Sequence, residues 1–227
     1  MNVKVMGLVV AGGIALAAAQ ASAVDFVTYN FNGAAAESST ADDGSPASSV
    51  NNGSAGLFLT SGGVGSLGGG TFEAGGADNF QARGWPQTES EYVTFTFTPN
   101  VNVSLTQLTF STDREGTSTT TTPNEIRLRS SLTGVTTAGT VLYTNSAGTN
   151  VNLINHTAVL SSVSALQNIA ANTAVTFRIY GFGGTSAAVD LAFDDVVLTG
   201  TVGGVPEPAT LGLLAIGATA LLRRRMA

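Results

Sequence analysis

Residues 91–98 alternate strictly between apolar and polar side chains. Val93, Phe95 and Phe97 fall in one phase, while a tyrosine and three threonines fall in the other. Because successive side chains of a β-strand point to opposite faces of a sheet, this pattern predicts a strand with one buried and one solvated face. Such strands are typical of antiparallel sheets, since parallel sheets are usually covered on both faces.

The alternation continues to Leu105, but Leu108 and Phe110 fall in the opposite phase. One inserted residue near Thr106 or Gln107 would restore the facing. We therefore expect a β-bulge or a corner at that point.

Many other short runs have strand composition, and no stretch keeps a period of 3.6 residues. The runs lie at residues 26–31, 57–60, 126–129, 140–144, 151–160, 174–182 and 189–199. Short strands joined by polar turns predict an all-β fold, an antiparallel β-sandwich of jelly-roll type, over residues 24–204. One helical turn is expected near residues 163–169.

Composition excludes several kinds of site. The chain has no Cys and one His, so it offers no thiol nucleophile, no disulfide framework and no zinc site built from Cys or several His. Between Val24 and Val205, five arginines stand against 14 acidic residues. This acidity argues against nucleic-acid binding and favours neutral or cationic partners.

The N-terminal residues 1–23 have the pattern of a signal peptide. Lys4 and the α-amino group precede an apolar run, and Ala21 and Ala23 form a small-residue cleavage site before Val24. The sequence therefore predicts an exported protein whose N-terminal signal helix is removed.

Residues 205–227 have three parts in a fixed order. Val205, Pro206, Glu207 and Pro208 come first, and both prolines favour an extended backbone. The apolar residues 209–222 follow, and as a helix they would span about 21 Å. The segment then ends in a basic group that reads as a cytoplasmic stop, consisting of Arg223, Arg224 and Arg225.

This combination resembles the PEP-CTERM sorting signal. The resemblance implies recognition by an exosortase, a membrane-embedded cysteine protease and transpeptidase of Gram-negative bacteria that make exopolysaccharide. It also implies that the protein is held transiently in the inner membrane by the apolar helix and cut at or near Pro206-Glu207-Pro208. The alternative is an ordinary tail anchor with a proline-rich linker.

Low-complexity stretches separate the predicted strands. Residues 38–54 and 61–70 are rich in Ser, Asn and Gly and are expected to be loops. The hydroxyl tract at residues 117–122 is typical of a flexible or O-glycosylated segment. Residues 113–116 read as a turn.

The closing pattern around Asp194 and Asp195 resembles the last strand of jelly-roll carbohydrate-binding modules of the galactose-binding-like type. That resemblance implies a last strand beside the first, with acids near Asn30, Phe31 and Asn32 that can hold a structural calcium ion. Calcium prefers six to eight oxygen ligands, more than two aspartates supply, so solvated or arginine-paired acids are the alternative.

The phases of the apolar residues also change at this aspartate pair. Leu191 and Phe193 share one phase, and Val196 and Leu198 share the other. We therefore expect a second β-bulge at Asp194 and Asp195.

Four aromatic residues are candidates for glycan contact because sugar-binding sandwiches often use an exposed aromatic face: Trp85, Tyr92, Tyr143 and Tyr180. Loop tryptophans commonly plug the edge of a core instead. Glu89 and Glu91 would form a carboxylate pair if the strand began there, and His156 is the single imidazole. Neither set comes with a hydrolase motif, so no catalytic residue is assigned.

The expected function is therefore non-catalytic. The leading hypothesis is an exosortase-sorted protein of the cell surface or extracellular matrix with a structural or adhesive role. The first alternative is a carbohydrate-binding module of jelly-roll type that binds polysaccharide, and the weaker one is a glycoside hydrolase. No cofactor is expected apart from the calcium ion.

Overall fold

The computed structural model describes residues 22–31, 47–61, 65–66, 80–83, 85, 88–115, 125–146, 154–183 and 190–203. Thirteen strands run through these residues. They are β1 (Ala23–Tyr29), β2 (Ser49–Val50), β3 (Gly53–Ala55), β4 (Leu59–Ser61), β5 (Gly65–Ser66), β6 (Phe80–Arg83), β7 (Tyr92–Pro99), β8 (Val103–Glu115), β9 (Glu125–Ser130), β10 (Tyr143–Ser146), β11 (Ile154–Val159), β12 (Val175–Phe182) and β13 (Asp190–Val202). A single 3₁₀ turn, Ser164–Leu166, lies where one helical turn was expected.

The strands form two antiparallel sheets. The seven-stranded sheet has the order β11-β8-β13-β1-β2, and β6 also pairs with β13 and carries β5. The six-stranded sheet has the order β10-β9-β12-β7-β3, and β4 also pairs with β7. The first strand pairs with the last, as the resemblance implied. The predicted antiparallel β-sandwich is confirmed.

Aromatic side chains from both sheets fill the space between them. The alternating residues of β7 divide as predicted, with Val93, Phe95 and Phe97 buried. Phe26 of β1 stacks on Phe97 with ring centroids 5.3 Å apart, which joins the two sheets. Burying rings of this size supplies a large share of the hydrophobic stabilisation of a fold without disulfides.

Both expected bulges are present. In the pairing of β13 with β8, Thr199 lies opposite Gln107 and Gly200 opposite Leu105, which leaves Thr106 as the extra residue. Nearer the start of β13, Asp194 lies opposite Ser111 and Val197 lies opposite Thr109. Two residues of β13 therefore lie opposite the single residue of β8 between these pairs, which places the second bulge at the aspartate pair. Each bulge keeps the apolar residues on both of its sides directed into the core.

Some of the predicted loops and turns were wrong. Residues 113–115, expected to be a turn, continue β8 to Glu115. The expected loop at residues 38–54 contains β2 and the start of β3, and the glycine-rich stretch at 61–70 contains β5. Gly53 sits so close to β7 that a Cβ there would lie 2.5 Å from the Thr98 carbonyl oxygen. Close packing therefore selects glycine in β3, where composition alone suggested a loop.

The two terminal segments, including the expected signal and C-terminal helices, lie outside the described residues apart from Ser22 and Ala23. The hydroxyl tract at 117–122 and Asn32 also lie outside them. Within the part of the chain that the structure describes, no helix is long and apolar enough to cross a membrane.

Candidate functional site

The outer face of the six-stranded sheet gathers polar and aromatic side chains from its central strands. In β12 and β7, Thr176 lies opposite Thr96, Arg178 opposite Thr94, and Tyr180 opposite Tyr92. Residues that alternate with these point into the core. We call the set Tyr92, Thr94, Thr96, Thr176, Arg178 and Tyr180 the polar face.

Arg178 is the central side chain of the polar face. Its guanidinium lies over the ring of Tyr92, 4.1 Å from the ring centroid, and the Tyr92 and Tyr180 rings are 5.1 Å apart. The Arg178 Nε atom is buried and has no hydrogen-bond partner among the described residues. A buried donor without a partner is costly, so the described residues leave part of the hydrogen-bonding capacity of this guanidinium unused.

The threonines form a floor beside the arginine. Thr96 and Thr176 share a hydrogen bond of 2.8 Å between their hydroxyl groups, and the Thr94 hydroxyl donates to the Phe177 carbonyl oxygen over 2.8 Å. These bonds hold the hydroxyl groups in place across the β7–β12 pair. Each hydroxyl oxygen retains capacity for a further hydrogen bond.

An ionic cluster lies next to the polar face. Glu89 accepts hydrogen bonds from Arg127 Nη1 and Arg129 Nε, both over 2.6 Å, and Arg127 Nη2 also pairs with Glu125 at 2.6 Å. Arg129 and Glu89 are almost fully buried, at 2% and 6% side-chain exposure. Burial by itself would raise the pKa of Glu89, but the hydrogen bonds from Arg129 and Arg127 outweigh it and hold the pKa below its usual range.

The loop after β9, residues 131–142, covers one side of the polar face. Arg129 Nη1 donates to the Gly139 carbonyl oxygen, and the Tyr180 hydroxyl donates to the Val135 carbonyl oxygen. Gly134 and Gly139 approach each other so closely that a Cβ on Gly139 would contact the Gly134 backbone. The ionic cluster therefore holds this loop in place beside Arg178.

Two of the four candidate aromatic residues lie away from the polar face. Trp85 is buried at 1% exposure, donates its indole N–H to the Ala82 carbonyl oxygen over 2.8 Å, and packs beside Phe193. Tyr143 contacts His156 at the edge where β10 and β11 meet. Tyr92 and Tyr180 are the two that the structure brings together.

His156 belongs to a buried cluster of its own. Its ring stacks on Phe110 with centroids 4.6 Å apart. Nδ1 faces the Tyr143 hydroxyl at 3.1 Å and Asn145 Nδ2 at 3.2 Å, and Nε2 contacts the Thr112 hydroxyl at 2.7 Å. With Asn145 donating to Nδ1, the neutral ring carries its proton on Nε2 and donates it to Thr112. Burial lowers the pKa of His156 to about 4.

The aspartate pair sits on the bulge of β13. Asp195 has a positive φ of 47°, and its backbone N–H donates to Asp194 Oδ1 over 2.8 Å. The end of β1 lies alongside, because Tyr29 pairs with Val196. No group of three or more metal-ligating side chains occurs among the described residues, and calcium binding here stays a prediction.

The sequence did not single out Arg178. The alternation of Arg178 with Ile179 in a predicted strand does indicate that the two side chains lie on opposite faces of the sheet. Its position over Tyr92 depends on the register of β12 against β7, which single-strand periodicity does not give.

Comparison with known proteins identifies the C-terminal segment. Residues 204–225 match the family model of the PEP-CTERM protein-sorting motif, which confirms the resemblance seen at residues 205–227. No curated protein matches the chain.

Several solved structures are similar to this chain, each with a TM-score below 0.5. The CBM22-1 xylan-binding domain of Xyn10C from Paenibacillus barcinonensis is 9% identical, with a TM-score of 0.43 over 82% of this chain and 100% of that one. A cleaved adhesin domain of Lys-gingipain from Porphyromonas gingivalis is 13% identical, with a TM-score of 0.42 over 78% and 99%. A family 11 carbohydrate-binding module from Clostridium thermocellum is 14% identical, with a TM-score of 0.36 over 69% and 94%.

Proposed function

We propose that this chain is a non-catalytic glycan-binding module, exported and then released or attached at the cell surface by processing at its C-terminal sorting motif. The observation that carries the binding role is Arg178, which lies over Tyr92 with a buried, unpartnered Nε in the middle of the polar face.

The polar face has the chemistry that a sugar requires. The guanidinium offers charge-assisted donors to hydroxyl oxygens, and such hydrogen bonds are stronger than neutral ones. Tyr92, which is half-buried, supplies apolar area for the C–H face of a pyranose ring, whereas Tyr180 is only 4% exposed and packs against the Tyr92 ring. The threonines offer further donors and acceptors. Because acidic residues outnumber arginines in this domain, a neutral polysaccharide is favoured over an acidic one.

Delivery follows from the sorting motif at residues 204–225. The predicted signal peptide, residues 1–23, would direct export and be cut before Val24. An exosortase of a Gram-negative host would then cut near Pro206-Glu207-Pro208, and the sandwich would remain in the cell envelope or the extracellular matrix. A structural or adhesive role without a glycan ligand uses the same delivery.

A glycoside hydrolase would need a carboxylic acid with a raised pKa and a second carboxylate across the scissile bond. Glu89 does not meet this requirement, because hydrogen bonds from two arginines lower its pKa and keep its carboxylate ionised. The ionic cluster is better suited to fixing the loop beside the polar face than to proton transfer.

The test is calorimetric titration of the full chain, in a detergent without sugar groups, with neutral polysaccharides and with polyuronates. We expect binding of at least one neutral glycan, and at least a tenfold loss of affinity in Arg178→Met, which keeps apolar contact with Tyr92 but removes every donor. Thr157→Ala is the matched control, because Thr157 is exposed on the other sheet.

Binding that Arg178→Met leaves unchanged would move the site elsewhere on the sandwich. Absence of binding to the whole panel would favour the structural or adhesive role. The intrinsic fluorescence of Trp85 is a poor readout for either result, since that ring is buried in the core.

A further inference from the structure

The first and last residues of the sandwich domain lie next to each other at one end of the strands. Ala23 at the start of β1 pairs with Thr201 near the end of β13, and Gly203 donates its backbone N–H to the Asn102 carbonyl oxygen over 2.7 Å. The sorting motif begins at residue 204, directly after Gly203, where the described part of the chain ends. The predicted signal peptide ends at Ala23, where β1 begins. The two segments directed at the membrane therefore leave the domain side by side.

The loops around this exit form one end of the sandwich, which we call the base. It consists of residues 51–53, 99–102, 160–174 and 203. Backbone hydrogen bonds join these loops: Asn100 donates to Asn52, Asn172 donates to Pro99, and Val103 exchanges two bonds with Ile169. The base is thus a continuous, ordered surface.

The base contains no charged residue. Its exposed positions carry amides, hydroxyl groups and alanines, namely Asn51, Asn100, Asn102, Ser161, Ser162, Ser164, Ala165, Asn168, Ala170, Asn172 and Ala174. The only acidic residue of β1 is Asp25, and its side chain accepts a hydrogen bond from the Thr199 hydroxyl over 2.8 Å. Cleavage before Val24 would add a positively charged α-amino group at the base.

Charged residues collect toward the opposite end, which we call the tip. Glu89 and Glu91 directly precede β7, Glu125 begins β9, and Asp194 and Asp195 lie in the first half of β13. All of these strand positions are distant from the base, because β7, β9 and β13 run from tip to base. Arg127 and Arg129 pair with Glu89 and Glu125 at this end, so the excess negative charge of the tip comes from the remaining acids. The domain is therefore polarised along its strands, with a neutral base and a tip of net negative charge.

The connection from the base to the apolar part of the sorting motif is short. Five residues separate Gly203 from Ala209, and the six Cα–Cα steps between these two residues span at most about 20 Å in an extended chain. The strand β13 has 13 residues, so the tip lies roughly 40 Å beyond the base. While the apolar segment is in a membrane, the base cannot move far from the lipid headgroups.

We propose that the base is a membrane-facing surface that rests on phospholipid headgroups while the chain is held by its sorting segment. This inference rests on the proposed function, in which that segment enters the membrane. Uncharged amides and hydroxyl groups can hydrogen-bond to headgroups without electrostatic repulsion. The acidic tip is repelled by anionic lipids over a Debye length of about 8 Å, which turns the sandwich upright.

The absence of cysteine makes the orientation directly measurable. Ser162→Cys places a fluorescent donor on the base, and Ser90→Cys places it in an exposed turn near the tip. The full chain is inserted into vesicles of phosphatidylethanolamine and phosphatidylglycerol that carry a headgroup-linked acceptor. We expect energy transfer to be several-fold higher from the base donor than from the tip donor.

A second set of variants tests the proposal by adding negative charge to the base. Adding Ser161→Glu and Ser164→Glu to the base-labelled chain should lower energy transfer in anionic vesicles but not in vesicles of neutral lipid, because the new carboxylates are repelled only by anionic headgroups. The control is Thr88→Glu in the same base-labelled chain, since Thr88 is exposed near the tip. This control should leave the transfer unchanged.

Vesicle flotation separates the two levels of the proposal. If the full chain floats with vesicles but the two donors transfer equally, the base is not a membrane-facing surface, and the delivery mechanism is untouched. If the chain does not float at all, the membrane-held stage is wrong, and this inference is wrong with it.

Discussion

Acidification should destabilise the sandwich through one residue, His156. Its neutral ring is buried between Phe110 and the polar groups of Tyr143, Asn145 and Thr112. Adding a proton at Nδ1 would direct a new N–H at the amide donor of Asn145. Burial in these surroundings lowers the pKa of His156 from an ordinary 6.5 to about 4.

The sign and the size follow from this shift. Between pH 6.5 and pH 4, the unfolded chain binds more protons at this site than the folded chain does, so the free energy of unfolding decreases as the pH decreases. A shift of about 2.5 units corresponds to roughly 3 kcal/mol in full, and about 2 kcal/mol of it is already lost at pH 5. Most carboxylates remain ionised at pH 5, so this window reports mainly on the imidazole.

The assay is urea unfolding at pH 7.5 and pH 5, followed by the fluorescence of Trp85, the only tryptophan of the chain and a buried one. The comparison is His156→Gln, which can still donate to Thr112 but does not titrate. This variant should be less stable than the parent at pH 7.5 and should lose almost nothing further at pH 5. Equal losses in the two proteins would refute the reasoning, because the acid sensitivity would then come from other groups.

Two further predictions concern single side chains. Glu89→Gln should lower the free energy of unfolding by about 3 kcal/mol, because it leaves the buried Arg129 without its carboxylate. Glu125→Gln removes a half-exposed ion pair and should lower the free energy of unfolding by less than about 1 kcal/mol. A similar cost for both variants in urea titration would contradict the burial argument. Gly53→Ala should destabilise by more than about 1 kcal/mol, because the new Cβ would lie 2.5 Å from the Thr98 carbonyl oxygen, and Gly56→Ala, whose Cβ would lie 3.8 Å from its nearest neighbour, should unfold at nearly the parental midpoint.

The sequence predicts those parts of the fold that repeat along a single strand. Alternation locates β7 and the burial of Phe95, and the two changes of phase locate the bulges at Thr106 and at the aspartate pair. These signals are local because a strand fixes the facing of each side chain relative to its neighbours in the chain.

Features that depend on another strand are not visible in this way. The strand β3 has the composition of a loop, and its place in the sheet comes from its pairing with β7. Glu89 and Arg129 are 40 residues apart, so their ion pair follows from tertiary structure alone. Arg178 reads as an ordinary charged residue on a strand until the register places it beside Tyr92.

The arrangement of the base and the polar face would let the proposed glycan binding and the proposed membrane-held stage coexist on one small domain. The strands run from the base to the tip, so the polar face on the outside of the six-stranded sheet extends parallel to that axis. A sandwich held upright by its base therefore presents Arg178 sideways, away from the lipid. Cutting the chain after the base would change neither the strands nor the polar face, because the last backbone hydrogen bond among the described residues, at Gly203, precedes the sorting motif. Glycan affinity should thus be the same before and after processing, and a difference would mean that the base and the polar face are coupled.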